Sequence, residues 1–353
     1  MTEKNKLVIC TTAIIRGEFH RKSIGRFYEK YKNKLAKFDI IHIINVDSPV
    51  KLTNVYDSST TINIFDEIIP INVQKIYIKT SKPCFLDAYK NLMDYVSKLD
   101  LKKDTLIWWL EDDWECNDKC DYDFTLMFKL LKIRNSSMSF SKDGFLGSFK
   151  GGPIMSLEYF NKMFNIYSLG VTNNTCDPEK QVCRWISGIK KMNGTNSIHR
   201  DISVGKYESK IDIVYVILQK HITYIPIIND LHHKCYINKN KYNSKIKFNY
   251  YLLVSDTETL DNIKLIKLDM TDDSIKGIEY NAYIEIKQYD MTANISGKFT
   301  GDKLEELYKF FNTDSITYFT CMPYIFSDIG KYFKSKHSLI KWSGMKHRTT
   351  YVD

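Results

Sequence analysis

The chain has 353 residues, 43% of them hydrophobic and 26% charged, which is typical of a globular protein with a buried core. Its net charge of +9 comes from lysines scattered among acidic residues, which argues against nucleic-acid binding and fits a phosphate-bearing ligand. The eight cysteines include no CxxC pair, so we expect reduced thiols and no zinc site. The sequence has no signal-peptide pattern and no apolar run of the ~18 residues that a membrane-spanning helix needs, so we expect a cytoplasmic, unsecreted protein.

The first third of the chain alternates buried, β-branched runs with segments whose apolar residues recur at helical spacing. The predicted elements are a strand over 7–15, a helix over 20–36, a strand over 38–46, a polar loop, a strand over 75–79, a helix over 85–99 and a strand over 105–110. This alternation predicts an α/β fold: a mainly parallel, Rossmann-like sheet flanked by helices. Ligands of such sheets bind beyond the carboxyl ends of the strands.

Polar residues follow several of these strand ends. An acidic cluster, Glu111-Asp112-Asp113, directly follows the fourth strand and its two tryptophans. Burying several carboxylates at a sheet end costs free energy unless a cation or hydrogen-bond donors offset the charge. Oxygen-rich clusters of this kind suit Mg²⁺ or Mn²⁺, which often also hold substrate phosphates. The alternative is a solvated acidic turn that caps a helix predicted over 122–133.

Further along the chain, two segments carry candidate functional residues. Gly151 and Gly152 open a turn and a short strand, followed by a helix that begins after Ser156. Asp177-Pro178-Glu179 opens another predicted helix, where Asp177 fits the N-cap and Pro178 the first helical position. His232 and His233 follow a strand-like run and are either solvated or near a metal.

The character of the sequence changes near residue 245. Strand-like runs are predicted over 250–254, 263–268, 280–289 and 316–320, with a helix over 303–311, and the segment 326–333 follows. We therefore predict a catalytic domain over 1–244 and a β-rich C-terminal subdomain over 245–353.

An apolar strand followed by Glu-Asp-Asp resembles the DxD-type metal motif of GT-A-fold glycosyltransferases. Cys-Thr-Thr-Ala-Ile-Ile-Arg (10–16), the strand end at Asp47 and Phe-Leu-Asp-Ala-Tyr-Lys-Asn (85–91) agree with that resemblance. The order of elements resembles this family over about residues 1–240, and the chain is also similar to glycosyltransferases of large DNA viruses.

The resemblance implies a role for each candidate. Asp113 would bind the Mn²⁺ or Mg²⁺ that bridges the donor diphosphate, while Asp112 and Glu111 would contact the ribose or donor sugar, or ligate through water. The residues that would line the nucleoside pocket are Thr11, Thr12, Arg16 and Asp47. Alternatively, the threonines are ordinary strand residues and Arg16 pairs with a surface acid.

The resemblance also implies an acceptor site with a catalytic base. Asp177 and Glu179 are the candidates for that base, because enzymes of this family often present it at the start of a comparable helix. An inverting enzyme needs such a carboxylate near the acceptor hydroxyl.

The sequence therefore predicts a glycosyltransferase that moves a sugar from a nucleotide-sugar, a UDP-sugar by preference, to a glycan or protein acceptor. Two alternatives remain open. One is a sugar-phosphate nucleotidyltransferase, although no glycine-rich triphosphate loop follows the first strand. The other is a non-catalytic carbohydrate-binding or virion-assembly protein with the same fold.

Overall fold

The computed structural model places most of the predicted sheet and its flanking helices. It describes residues 4–14, 17–46, 58–80, 85–116, 124–133, 135–140, 152–170, 210–218, 247–255, 263–268, 303–311, 316–322 and 326–328. These residues form a ten-stranded sheet, a separate two-stranded sheet and helices packed on the larger sheet.

The strands alternate with helices through the first half of the described chain. The strands are β1 (Asn5–Ala13), β2 (Phe38–Val46), β3 (Gln74–Lys79), β4 (Leu106–Trp109), β5 (Trp114–Cys116), β6 (Ser136–Ser139), β7 (Ile154–Ser156), β8 (Lys210–Leu218), β9 (Lys247–Ser255), β10 (Ile263–Leu268), β11 (Ile316–Met322) and β12 (Phe326–Asp328). The helices are α1 (Arg26–Leu35), α2 (Ser58–Ile68), α3 (Phe85–Ser97), α4 (Phe124–Leu130), α5 (Leu157–Gly170) and α6 (Lys303–Phe311), and a π-helical turn, Arg21–Gly25, precedes α1.

The large sheet has the strand order β10-β9-β8-β11-β6-β7-β4-β1-β2-β3. Strand β7 is antiparallel to both of its neighbours, and β10 is antiparallel to β9. The remaining neighbours pair in parallel. The predicted fold class, an α/β fold with a mainly parallel sheet flanked by helices, is therefore confirmed. The carboxyl ends of β1, β2 and β4 lie on the same side of the sheet, next to the first residue of β7. We call this side, at the ends of these strands, the carboxyl edge of the sheet.

Helices cover both faces of the sheet, and the two tryptophans of β4 show this directly. Trp108 contacts Phe27 of α1 and Phe124 of α4, with ring centroids 4.9 and 5.2 Å apart. Trp109 points to the opposite face and contacts Tyr89 of α3, with ring centroids 4.6 Å apart. Successive residues of a strand face opposite ways, so a strand covered on both sides reads as a continuous apolar run.

A row of polar side chains crosses the amino-terminal part of four strands. Ser136 of β6 pairs in register with Thr317 of β11, Thr317 pairs with Asp212 of β8, and Asp212 pairs with Asn249 of β9. Asn249 Nδ2 donates to Asp212 Oδ1 at 2.7 Å, and the Asp212 side chain is buried. A buried carboxylate with a defined donor fixes the register of the two strands, because a slip by one residue would remove its partner.

Several elements differ from the sequence predictions. The segment predicted as a polar loop after β2 contains helix α2, which buries Thr61, Ile64 and Phe65. Its β-branched and small polar residues have low helix propensity, and tertiary packing of the buried face outweighs that preference. Strands β5, β6 and β8 form where the sequence predicts no strand. The strand predicted over 280–289 and the helix predicted from Asp177 lie outside the described residues.

Strands on both sides of residue 245 belong to the large sheet, since β11 lies between β6 and β8. The division into a domain over 1–244 and a subdomain over 245–353 stays a prediction. Across the described ranges, no helix is both long and apolar enough to cross a membrane.

Candidate functional site

The acidic turn (residues 111–113) follows β4 and lies at the carboxyl edge of the sheet, between the carboxyl end of β1 and the first residue of β7. The Leu110 amide donates to the Cys10 carbonyl at 2.9 Å, and the Trp109 amide donates to the Pro153 carbonyl at the same distance. Asp112 is buried, with 3% of its surface exposed, whereas Glu111 and Asp113 are partly exposed. The three carboxylates therefore occupy different environments, although they are consecutive in the sequence.

The buried carboxylate of Asp112 is held by residues that follow β1. Its Oδ2 accepts a hydrogen bond from the backbone amide of Ile14 at 3.2 Å and lies 3.7 Å from Nδ1 of His20. His20 is fully buried, and its ring lies 4.6 Å from that of Phe65 in α2. A donor on the carboxylate offsets part of the cost of removing its charge from water. Asp112 thus connects the acidic turn to the chain beyond β1.

The residues that follow the acidic turn, Trp114 and Glu115, also hold it in place. Nε1 of Trp114 donates to Oε2 of Glu111, and Trp114 itself is buried. Arg26 of α1 lies 3.5 Å from Glu115, measured from Nη1 to Oε1. Strand β5 then pairs in antiparallel fashion with β12, so that Asp328 is the register partner of Trp114. A segment more than 200 residues away in sequence is therefore paired with the strand that follows the acidic turn.

A chain of buried hydrogen bonds reaches the acidic turn from α1. Oη of Tyr28 lies 3.0 Å from Nδ1 of His42, and Nε2 of His42 lies 2.8 Å from Oγ1 of Thr11. Oγ1 of Thr11 donates to the carbonyl of Leu110 at 2.6 Å. Burial, and secondarily the charge of Lys75, lowers the pKa of His42 to about 3, so the imidazole is neutral at physiological pH.

On the other face of the sheet, Thr12 lies at the same edge as the acidic turn. It is the register partner of Asn45, and the side-chain oxygen of Asn45 accepts a hydrogen bond from Nδ2 of Asn91 at 3.4 Å. Asn91 belongs to α3, whose amino-terminal residues were part of the sequence resemblance. Polar side chains therefore lie at the carboxyl edge on both faces of the sheet.

The structure brings together five of the predicted site residues, Thr11, Thr12, Glu111, Asp112 and Asp113. Their predicted contacts with a donor and a metal stay predictions. The other candidates, Arg16, Asp47, Asp177 and Glu179, lie outside the described residues, as do His232 and His233.

Sequence reasoning missed three buried polar residues of this region, His20, Tyr28 and His42. One signal was present for His42, because this histidine stands in the middle of the apolar residues 40–44 of β2. Such a residue needs a hydrogen-bond partner inside the protein, and that partner was not identifiable from the sequence.

The donor chemistry of the acidic turn fits a hard divalent cation. Carboxylate oxygens are the ligands that Mg²⁺ and Mn²⁺ prefer, and Mg²⁺ is usually held by one or two carboxylates together with substrate phosphates and water. Within the part of the chain that the structure describes, no group of three His, Cys, Asp or Glu side chains forms a complete metal cage.

Comparisons with known proteins give little sequence similarity. No protein-family model matches the chain, and a search of curated proteins finds no match. Among solved structures, the chain is similar to a nucleoside-diphosphate-sugar pyrophosphorylase from Vibrio cholerae RC9, with 11% sequence identity and a TM-score of 0.28 over 46% of this chain and 78% of that one. A TM-score this low does not establish a shared fold, so the fold assignment rests on the strand pairing described above.

Proposed function

We propose that this chain is a glycosyltransferase that uses a nucleotide-sugar donor, a UDP-sugar by preference, together with Mn²⁺ or Mg²⁺. The observation that carries the proposal is the arrangement of the acidic turn at the carboxyl edge of a mainly parallel sheet. There, Asp112 is buried and held by the Ile14 amide, and the next residue, Asp113, is partly exposed. Ligands of open α/β sheets bind at this edge.

In the proposed reaction, the sugar leaves a nucleoside diphosphate whose negative charge grows as the anomeric C–O bond breaks. A divalent cation supplies Lewis-acid stabilisation of that charge when it is bound. Asp113 holds the cation, and Asp112 fixes the turn through its hydrogen bond with Ile14. Glu111, held by Trp114, orients the donor sugar or ribose. Positioning of this kind supplies a large part of the rate enhancement in group transfer.

The acceptor is a glycan or protein hydroxyl, and a carboxylate base removes its proton. Asp177 and Glu179 are the proposed candidates for that base. Thr12, Arg16 and Asp47 are proposed to line the nucleoside pocket, and the position of Thr12 at the carboxyl edge supports its inclusion.

Binding of UDP with and without Mn²⁺ tests the proposal. In isothermal titration and thermal-shift measurements, we expect UDP to bind and to raise the melting temperature only when Mn²⁺ is present. Asp113→Asn keeps the side-chain volume but removes the charge that holds the cation, so we expect at least about a tenfold loss of Mn²⁺-dependent UDP affinity.

The matched control is Asp104→Asn, which makes the same charge change at the exposed opposite end of β4. This control should bind UDP and Mn²⁺ like the unmodified protein. Equal affinities of the two variants would remove Asp113 from the site. Absence of any Mn²⁺-dependent nucleotide binding to the unmodified protein would refute the proposed function.

Product analysis separates the enzymatic alternatives. A glycosyltransferase releases UDP from a UDP-sugar, whereas a sugar-phosphate nucleotidyltransferase releases pyrophosphate from UTP and a sugar 1-phosphate. A non-catalytic carbohydrate-binding protein would give neither product.

A further inference from the structure

The buried hydrogen bonds of Tyr28, His42 and Thr11 end at Leu110, the residue immediately before the acidic turn. Strand β4 ends at Trp109, so the carbonyl of Leu110 lies beyond its pairing with β7. Its partner is the side-chain hydroxyl of Thr11, at 2.6 Å. The Leu110 amide is bonded to Cys10, and both backbone polar groups of Leu110 are therefore held by β1.

The direction of each hydrogen bond follows from the number of protons available. A threonine hydroxyl carries one proton, and Thr11 donates it to Leu110. Nε2 of His42 must therefore carry the proton that it shares with Thr11, and Nδ1 accepts the phenolic proton of Tyr28. A neutral imidazole donates at one ring nitrogen and accepts at the other, as this arrangement requires.

We infer that His42 is a positioning residue, which acts through Thr11 to hold the Leu110 carbonyl and thereby fixes the acidic turn for cation binding. The inference rests on the proposed function of that turn. His42 fixes the rotamer of Thr11, because Oγ1 of Thr11 can accept from Nε2 and donate to Leu110 in one orientation of the side chain. Hydrogen-bond partners beyond the direct ligands typically change metal affinity or activity by about 10- to 100-fold when they are removed.

Two substitutions at Thr11 separate the hydroxyl from the shape of the side chain. Thr11→Val keeps the shape and removes the hydroxyl, whereas Thr11→Ser keeps the hydroxyl. By isothermal titration with Mn²⁺ and UDP, we expect Thr11→Val to bind about 10- to 100-fold more weakly than Thr11→Ser, which keeps the donor to Leu110. Equal affinities of these two variants would overturn the inference.

Two substitutions at His42 test the donor at Nε2 separately from the acceptor at Nδ1. The amide of Gln reaches the position of Nε2 and keeps a donor for Thr11, whereas the amide of Asn reaches only the position of Nδ1 and keeps an acceptor for Tyr28. We expect His42→Gln to retain most of the Mn²⁺-dependent UDP affinity and His42→Asn to lose it. A merely structural role predicts the same loss for both. If His42→Asn does not fold, the Thr11 pair decides the question.

A measurement without any ligand distinguishes failure of this inference from failure of the proposed function. Backbone amide resonances of residues 111–113 should shift in Thr11→Val and stay unchanged in Thr11→Ser, whether or not UDP binds. If the unmodified protein binds no nucleotide but these resonances shift as expected, the proposed function fails and the positioning of the turn by Thr11 stands. Unshifted resonances in Thr11→Val would overturn the inference.

Discussion

At the scale of single residues, the protein keeps an imidazole neutral inside its sheet. His42 is fully buried and hydrogen-bonded at both ring nitrogens, to Tyr28 and to Thr11. Burial also raises the pKa of Tyr28 well above its ordinary value, which keeps the phenol protonated and able to donate to His42. Protonation of the imidazole would place a charge in the core and remove the acceptor that Tyr28 uses.

This neutral histidine makes stability depend on pH. The unfolded chain takes up a proton on His42 below about pH 6.5, whereas the folded protein takes it up only near pH 3. The unfolded state binds more protons in this window, so His42 makes stability fall as the pH falls, by about 1.4 kcal/mol per pH unit.

Denaturant unfolding of the unmodified protein and His42→Gln at about pH 7 and about pH 5 measures this contribution. Relative to that of His42→Gln, the free energy of unfolding of the unmodified protein should be roughly 2 kcal/mol lower at about pH 5 than at about pH 7. A difference that does not vary with pH would show that the imidazole titrates alike in both states.

The site was partly predictable at this scale. The acidic turn is visible in the sequence because three carboxylates directly follow an apolar strand, and both features are local. The contacts of Asp112 with Ile14 and His20 join residues more than 90 positions apart. Such contacts depend on which strands become neighbours, and a single sequence does not encode that order in any local pattern.

At the scale of elements, most strands with a long apolar run were predicted, although the apolar strand β8 was missed, and the short polar strand β6 was not predictable. Strand β2 was predicted with its observed ends because most of its residues are apolar and β-branched. Strand β6 consists of Ser-Ser-Met-Ser and is nonetheless buried between β7 and β11. Its residues carry little hydrophobic signal, so its formation depends on the pairing that neighbouring strands provide.

The pairing of β8 with β9 gives a prediction for this scale. Asn249→Ala removes the donor to the buried carboxylate of Asp212, and a lost hydrogen bond to a charged group costs about 1.5–3 kcal/mol. Lys309→Ala on the exposed side of α6 is the control and should change the free energy of unfolding by less than about 0.5 kcal/mol. Equal effects in denaturant unfolding would contradict a stabilising role for the Asn249–Asp212 contact.

At the scale of the whole molecule, one sheet joins the two predicted parts of the chain. Strand β11 lies between β6 and β8, and β9 and β10 extend the sheet beyond β8. The mainly parallel architecture was predictable from the alternation of strands and helices. The insertion of β11 was not, because periodicity identifies a strand without identifying its neighbours.

This topology predicts the behaviour of a fragment that ends at residue 244. Without β11, the edges of β6 and β8 lose their partners, and unpaired strand edges promote aggregation. We expect the fragment over 1–244 to be insoluble or aggregated in size-exclusion chromatography, under conditions where the full chain is monodisperse. A monodisperse fragment with a cooperative unfolding transition would instead show that residues 1–244 fold independently.

The central position of β11 also bears on biosynthesis. While a ribosome is translating residues before 316, the nascent polypeptide has β6 and β8 but not the strand that pairs with both. The antiparallel partner of β5, beside the acidic turn, emerges later still, with residues 326–328. Pairing of β6 and β8 with β11 therefore has to wait until residues 316–322 have left the ribosome.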